Sequence, residues 1–273
     1  MRDWQRLAAT LAREAAVLVT VAQVQGSGPR EVGAWMAVTA AGLPIGTIGG
    51  GHLEYEGLAQ ARALLVRGAV GPAEEQRYAL GPSLGQCCGG VVRLRYEWLG
   101  PADIAGLRAR LGSEHGWLPV ALFGGGHVGR AIVEVLARLP MRVHWIDSRG
   151  DEVFPAELPE NCRAEYSDPV QAAVQDLTPG SHVLIMSFSH AEDLDVVAAC
   201  LVRQRARADL PYVGLIGSRS KWASFRQRLL ARGFAEAELA HITSPIGVPG
   251  IAGKQPEVIA VAVAAQLLAC PAS

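Results

Sequence analysis

The sequence lacks an excess of charge of either sign, a cysteine framework, and any apolar run long enough to cross a bilayer. Only 19% of its 273 residues are charged and the formal net charge is -1. That balance gives no electrostatic case for nucleic acid or for an anionic membrane as partner. The five cysteines, Cys87, Cys88, Cys162, Cys200 and Cys270, are odd in number and lack framework spacing. They do not read as a disulfide scaffold, and a reducing compartment fits better. The start, Met1-Arg2-Asp3-Trp4, carries an early acid and no long apolar stretch, unlike a signal peptide. The longest apolar run, Val258 to Cys270, is interrupted by Gln266 and falls short of a span of roughly 20 residues. The expectation is a cytoplasmic, soluble protein with neither nucleic acid nor membrane among its partners.

Apolar residues make up 50% of the chain, enough for a sizeable core. The 31 glycines cluster in loops, which suggests close backbone approach to ligands. Helical spacing of Trp4, Leu7, Ala8 and Leu11 predicts a helix over 2–15. Strands are expected over 17–24, 34–39, 44–48, 76–80 and 91–99, with a helix over 52–67. The breaker-rich segment at about 113–117 marks a boundary, giving domains 1–115 and 116–273. Beyond it the pattern alternates. Strands fall near 119–123, 142–147, 182–188 and 212–216; helices fall near 127–139, 169–177, 191–205, 219–232 and 255–269. Such alternation indicates a parallel sheet with helices on both faces. The fold class is therefore α/β: an N-terminal mixed α/β domain followed by a Rossmann-like domain.

The second domain opens on Val120-Ala121-Leu122-Phe123-Gly124-Gly125-Gly126-His127-Val128-Gly129, an apolar strand running into G-x-G-x-x-G and a helix. Asp147 closes the next strand. This spacing is the dinucleotide-binding fingerprint. Gly124 permits the tight turn, Gly126 lets a phosphate approach, Gly129 lets helix and strand pack, and Asp147 is placed for a ribose. His127 reads as a local hydrogen-bonding group. Further along, Ser187-Phe188-Ser189-His190 and Gly217-Ser218-Arg219-Ser220-Lys221 each follow a strand, at the edge where open α/β sheets bind ligands. Ser218, Arg219 and Lys221 supply hydroxyl and cationic groups to an anion-friendly rim, with Glu192 and Asp193 as capping and dipole partners. Lys254, near the last helix, is a further anion candidate or part of a rigid connection.

The first domain holds three glycine-rich loops. Gly26-Ser27-Gly28-Pro29-Arg30 combines a hydroxyl and an arginine suited to an anion, against the reading of a plain surface loop. Gly49-Gly50-Gly51 opens onto a helix, where free N–H groups meet the positive dipole end. Glu54, in that helix's first turn, either caps the helix or faces a ligand. The third loop, Gly81 to Gly90, contains the adjacent Cys87 and Cys88. Loop thiols flanked by glycine are accessible, and thiolates bind soft metals or relay sulfur. No ligand pair for zinc accompanies them, and a bond between the two would be strained.

In this order, the blocks Gly26–Arg30, Gly33-Ala34-Trp35-Met36, Gly46–Glu54, Cys88-Gly89-Gly90, Gly124–Gly129, Gly217-Ser218-Arg219 with Lys221, and Ser244-Pro245-Ile246-Gly247 resemble the xanthine dehydrogenase accessory family, XdhC/CoxI. The resemblance covers nearly the whole chain. It implies a non-catalytic chaperone that binds molybdenum cofactor (molybdopterin, in mononucleotide or dinucleotide form). Such a chaperone protects the cofactor, supports its sulfuration with a cysteine desulfurase, and inserts it into apo xanthine dehydrogenase or a related molybdenum hydroxylase. On this reading the cofactor meets Ser27, Arg30, Gly49, Gly50, Gly51, Glu54, Cys87, Cys88, Gly124, Gly126, Gly129, Asp147, Ser218 and Arg219. Cys88, with Cys87 as alternate, takes the metal or sulfur role. A homodimer is expected, since a carrier with a large apolar fraction buries a face. The alternatives are an NAD-dependent oxidoreductase, motivated by the fingerprint with Asp147, and a structural partner whose glycine loops pack at an interface. No Ser-Tyr-x-x-x-Lys signature accompanies the fingerprint.

Overall fold

The computed structural model describes residues 3–39, 44–68, 71–80, 90–112 and 116–270. The chain divides into two compact units, Met1–Ser113 and Glu114–Ser273.

Unit 1 is built on a five-stranded antiparallel sheet of order β3-β2-β1-β5-β4. The strands are β1 (Ala16–Gln25), β2 (Trp35–Val38), β3 (Ile45–Gly46), β4 (Glu74–Ala79) and β5 (Val91–Leu99). Side chains alternate along β1. Val17, Val19 and Val21 join one core with Leu53, Ala61 and Leu64 of α2 (Gly51–Arg67). Ala16 and Leu18 join another with Leu7 and Leu11 of α1 (Asp3–Leu11) and Leu107 of α3 (Ile104–Leu111). Both faces are covered, so β1 reads as a nearly continuous apolar run. The helix expected over 2–15 stops at Leu11. At the far end of α2, Gly68 adopts the left-handed conformation and its N–H closes the last turn on Leu65.

Unit 2 is a six-stranded sheet of order β11-β10-β9-β6-β7-β8, parallel at every pairing. Its strands are β6 (Leu118–Phe123), β7 (Met141–Asp147), β8 (Cys162–Tyr166), β9 (His182–Ile185), β10 (Tyr212–Leu215) and β11 (Ile242–Thr243). Counted from β6 as the first strand, the order is 3-2-1-4-5-6, the doubly wound arrangement with its switch point between β6 and β9. Helices α4 (His127–Leu136) and α8 (Pro256–Ala269) cover one face with Val120, Leu122, Val143 and Trp145. Helices α5 (His190–Arg207) and α6 (Arg219–Ala231) cover the other with Ala121, Phe123, Val183 and Ile185. The expected fold class, a mixed α/β domain followed by a Rossmann-like domain with a parallel sheet, is the one found.

Several local expectations differ. The helix read over 169–177 is a 3-10 segment, Val170–Asp176. The strand read over 182–188 ends at Ile185, because the chain turns there into the loop that caps α5. Strands β8 and β11 and the short helix α7 (Glu236–Leu239) were not expected from the pattern. β8 is an edge strand, Cys-Arg-Ala-Glu-Tyr, without a buried apolar face, and β11 has only two residues.

Candidate functional site

The glycine loop of unit 2 follows from sterics. Gly124 has φ +124°, and a Cβ there would lie 2.0 Å from the Met186 carbonyl oxygen on the neighbouring strand end. A Cβ on Gly129 would lie 2.1 Å from the Gly124 oxygen, so helix and strand meet backbone to backbone. Around Gly126, by contrast, a Cβ would meet nothing within 4 Å. Two glycines therefore build the turn and one leaves it open toward solvent, at the start of α4, where backbone N–H groups are unpaired.

Asp147 ends β7 and is 2% exposed. The Gly125 N–H donates to its Oδ2 at 2.6 Å. Arg149 donates to the same carboxylate three times, from its backbone N–H and Nε to Oδ1 and from Nη2 to Oδ2, each at 2.9 Å. Burial pushes the Asp147 carboxyl upward, but these bonds and the guanidinium charge outweigh it and hold the group below its ordinary value. The hydrogen bond to Asp147 raises Arg149 in turn. The acid read as a ribose acceptor is thus committed to the fold's own donors.

Residues 148–149, past the end of β7, meet the start of α5 across the end of β6. The Arg149 guanidinium lies over the Phe188 ring, 4.8 Å from its centroid. Ser148 Oγ donates to Glu192 Oε1 at 2.6 Å. Ser189 caps α5 by accepting from the Glu192 N–H at 3.2 Å. Asp193 does not act as a solvent-facing dipole partner. It accepts the Ser187 N–H at 2.7 Å and pairs with Lys221 Nζ at 2.6 Å, with side chains 3% and 9% exposed. Lys221 also donates to the Ile216 carbonyl at 2.9 Å. Of the cations expected on the rim, Lys221 is consumed in this pair, whereas Arg219 is exposed at the start of α6. Ser218 caps that helix by accepting the Lys221 N–H at 3.2 Å.

In unit 1 the structure brings the glycine loops together. A Cβ on Gly49 would lie 2.6 Å from Pro29 Cβ, and one on Gly90 would lie 2.0 Å from the Ser27 carbonyl oxygen. Gly49, Gly50 and Gly51 all have positive φ, a path that side chains disfavour. Glu54 fastens this path: its Oε2 accepts the Thr47 hydroxyl, the Ile48 N–H at 3.0 Å and the Gly50 N–H at 3.1 Å. Glu54 thus braces the loop before α2, and the helix itself has no side-chain cap at Gly50, unlike the helix-capping reading. Arg30 forms a two-bond pair with the exposed Glu31, at 3.1 and 2.9 Å, and that bonding lowers the Glu31 carboxyl to about 2.

Cys87 and Cys88 lie outside the described residues. The Leu80 N–H donates to the Gly90 carbonyl at 2.7 Å. Burial pushes the thiols of Cys162 and Cys200 up to about 12, which suits neither for thiolate chemistry. Among the described residues no group of His, Cys, Asp and Glu could hold a metal ion, and no helix is long and apolar enough to cross a membrane. The expected cofactor set includes neither Arg149 nor the edge it shares with Phe188 and Glu192. The edge itself is signalled in the sequence by Ser187-Phe188-Ser189-His190 after a strand, whereas Arg149 is signalled only by its place two residues past the fingerprint acid.

The family model described as the XdhC Rossmann domain matches residues 120–267. The model described as the XdhC and CoxI family matches residues 9–78. The chain is 29% identical over 261 residues to the uncharacterized protein YqeB of Escherichia coli (strain K12), covering 92% of this chain and 42% of YqeB. It therefore spans well under half the length of that relative. A crystal structure from Bacillus halodurans, described as a xanthine dehydrogenase, superposes with a TM-score of 0.73 at 20% identity, covering 98% of this chain and 95% of that one. That likeness is one of fold. With more than half its length matched by the Rossmann model alone, the chain belongs to the XdhC and CoxI family.

Proposed function

We propose that this protein takes part in maturing a molybdenum hydroxylase of the xanthine dehydrogenase type, as a carrier of molybdenum cofactor rather than as an enzyme. It protects the cofactor, supports its sulfuration by a cysteine desulfurase, and delivers it to the apo-enzyme. The observation that carries this reading is the convergence in unit 1 of loops far apart in sequence: Gly49 against Pro29, and Gly90 against Ser27. Cys88 stands two residues before Gly90.

The residues present fit an anionic, metal-bearing heterocycle. Open space lies beside Gly126 at the start of α4, where free backbone N–H groups would donate to a phosphate. Ser27, Arg30, Gly49, Gly50 and Gly51 would hold the group in unit 1, with Glu54 keeping their loop in shape. Unit 2, considered by itself, would offer Gly126, Ser218 and Arg219 to a phosphate or nucleotide. Gly124, Gly129 and Asp147 would shape the crevice. Cys88, or Cys87, would present a thiolate to the metal or carry sulfur. When bound, the cofactor supplies the molybdenum–dithiolene centre that the hydroxylase uses. A homodimer is the assembly proposed.

The test is anaerobic binding of molybdenum cofactor to the wild type, Cys87→Ser and Cys88→Ser, followed by activation of apo xanthine dehydrogenase. Tight binding weakened by one serine, with activation lost in parallel, supports the carrier. Binding of NAD with turnover of a small substrate, and none of the pterin, would support the second reading, an NAD-dependent oxidoreductase. The fingerprint favours that reading; the commitment of Asp147 to Arg149 weighs against it.

A further inference from the structure

The switch-point edge of unit 2 carries a group of side chains that the fold alone does not use up. Glu192 Oε1 takes the Ser148 hydroxyl, but its Oε2 is sealed from water and has no hydrogen-bond partner; the Ser187 hydroxyl is likewise sealed and unpartnered. An ionisable oxygen left in this way is costly, and such orphans call for a ligand or another explanation. Phe188, 66% exposed, follows Ser187 in the chain and carries Arg149, the neighbour of Ser148, over one face of its ring. An aromatic ring outside the carboxyl ends of the strands, flanked by a guanidinium, is a stacking platform for a flat heterocycle. Asp147, saturated by Gly125 and Arg149, has little left to offer a ribose diol. Local charge points the same way. Asp147 pairs with Arg149 and Asp193 with Lys221, and Glu192 adds a third carboxylate, which suits a ligand edge that donates hydrogen bonds.

We propose that Phe188 and Glu192 form a heterocycle subsite at the switch point, in which the ring stacks on Phe188 and Glu192 accepts hydrogen bonds from a 2-amino-4-oxopyrimidine edge. That edge presents an amino group and a ring N–H side by side, the donor pair a carboxylate accepts with both oxygens. To receive it, Glu192 exchanges the Ser148 hydroxyl for the ligand. Pterin and guanine share this edge, so the pterin portion of the cofactor or a guanine nucleotide would fit. The inference rests on the carrier reading and adds the part of the ligand that unit 2 reads.

The experiment is a binding titration of the full chain with pterin, lumazine (the same bicycle with oxygen replacing the 2-amino group), GMP, AMP and molybdenum cofactor. Wild type, Glu192→Gln and Phe188→Ala are compared, with thermal melting as the folding control. Pterin is expected to bind about tenfold or more tighter than lumazine. Glu192→Gln should abolish that preference without changing the melting curve, and Phe188→Ala should weaken both ligands. GMP exceeding pterin, with the same dependence on Glu192, supports the donor edge and names guanine as its source. Equal binding of pterin and lumazine together with equal binding of GMP and AMP, or a preference that Glu192→Gln leaves intact, overturns the subsite. If molybdenum cofactor still binds all three proteins alike, the carrier reading survives and only the subsite falls. If neither the cofactor nor any pterin binds the wild type, both fall.

Discussion

Arg149 donates three hydrogen bonds to Asp147, whose carboxylate is otherwise held by the amide of Gly125. The acid that ends β7 is thereby tied to the glycine loop on one side and to its own chain two residues on. Removing the guanidinium leaves a buried carboxylate with backbone donors only. Arg149→Ala is expected to destabilise unit 2 by about 1–3 kcal/mol at pH 7. The sign with pH follows from the direction of the Asp147 shift. A carboxylate held below its ordinary value stabilises the fold above its unfolded pKa, about 3.9, and that contribution fades as pH falls through the lower folded value. Denaturant titrations at pH 7 and at successively more acidic pH should show the gap between wild type and Arg149→Ala closing.

Gly126 and Gly129 separate ligand approach from packing. Gly129→Ala would place a methyl 2.1 Å from the Gly124 oxygen, and a loss of about 1–3 kcal/mol or more is expected from the forced backbone shift. Gly126→Ala meets open space at an ordinary φ of -74°, so its melting temperature should stay close to wild type. Weaker binding of phosphate-bearing ligands by a fully folded Gly126→Ala would locate their approach at this loop.

Glu54 secures the loop of unit 1. Glu54→Ala orphans the Thr47 hydroxyl and the amides of Ile48 and Gly50. The expected cost is about 1–2 kcal/mol, equivalent to roughly 4–8 °C in melting temperature per kcal/mol for a domain of this size. Glu54→Gln keeps an acceptor oxygen and should lose less. Equal losses in the two variants, measured by calorimetry, would mean that charge rather than hydrogen bonding holds the loop.

The Asp193–Lys221 pair ties the start of α5 to α6 beneath the candidate rim. Both side chains are nearly sealed, so Lys221→Met alone leaves a buried carboxylate unpaired, at about 3–5 kcal/mol. Asp193→Asn with Lys221→Met should recover part of that loss. A double-mutant cycle read by chemical denaturation measures the coupling, and strict additivity would contradict the pairing.

The two G-G-G-H strings, Gly49–His52 and Gly124–His127, are a case where local sequence says less than the fold. Each begins a helix, and in each the second glycine gives its amide to a carboxylate: Gly50 to Glu54 and Gly125 to Asp147. In the first the acid is four residues away, within reach of local reasoning. In the second it is 22 residues away, on the neighbouring strand, and its engagement depends on the β6–β7 pairing.

What the sequence by itself determined is what short-range sterics and periodicity fix. Alternating strand and helix patterns specify a parallel sheet. Gly124 and Gly129 specify backbone contacts that no Cβ permits, and the ordered loop motifs carry the family. What only the tertiary structure decided is how charge is shared out. Lys221 and Asp147 look like ligand groups along the chain and Asp193 like a helix-end dipole partner, yet each is neutralised by a partner on another segment or in the loop beyond it. Glu192 looks like a capping or dipole partner along the chain, yet one of its oxygens is buried without a partner. Periodicity is a property of neighbours in sequence. The availability of a charge depends on neighbours in space, and here those lie 28 residues apart for Lys221 and Asp193 and 44 for Ser148 and Glu192.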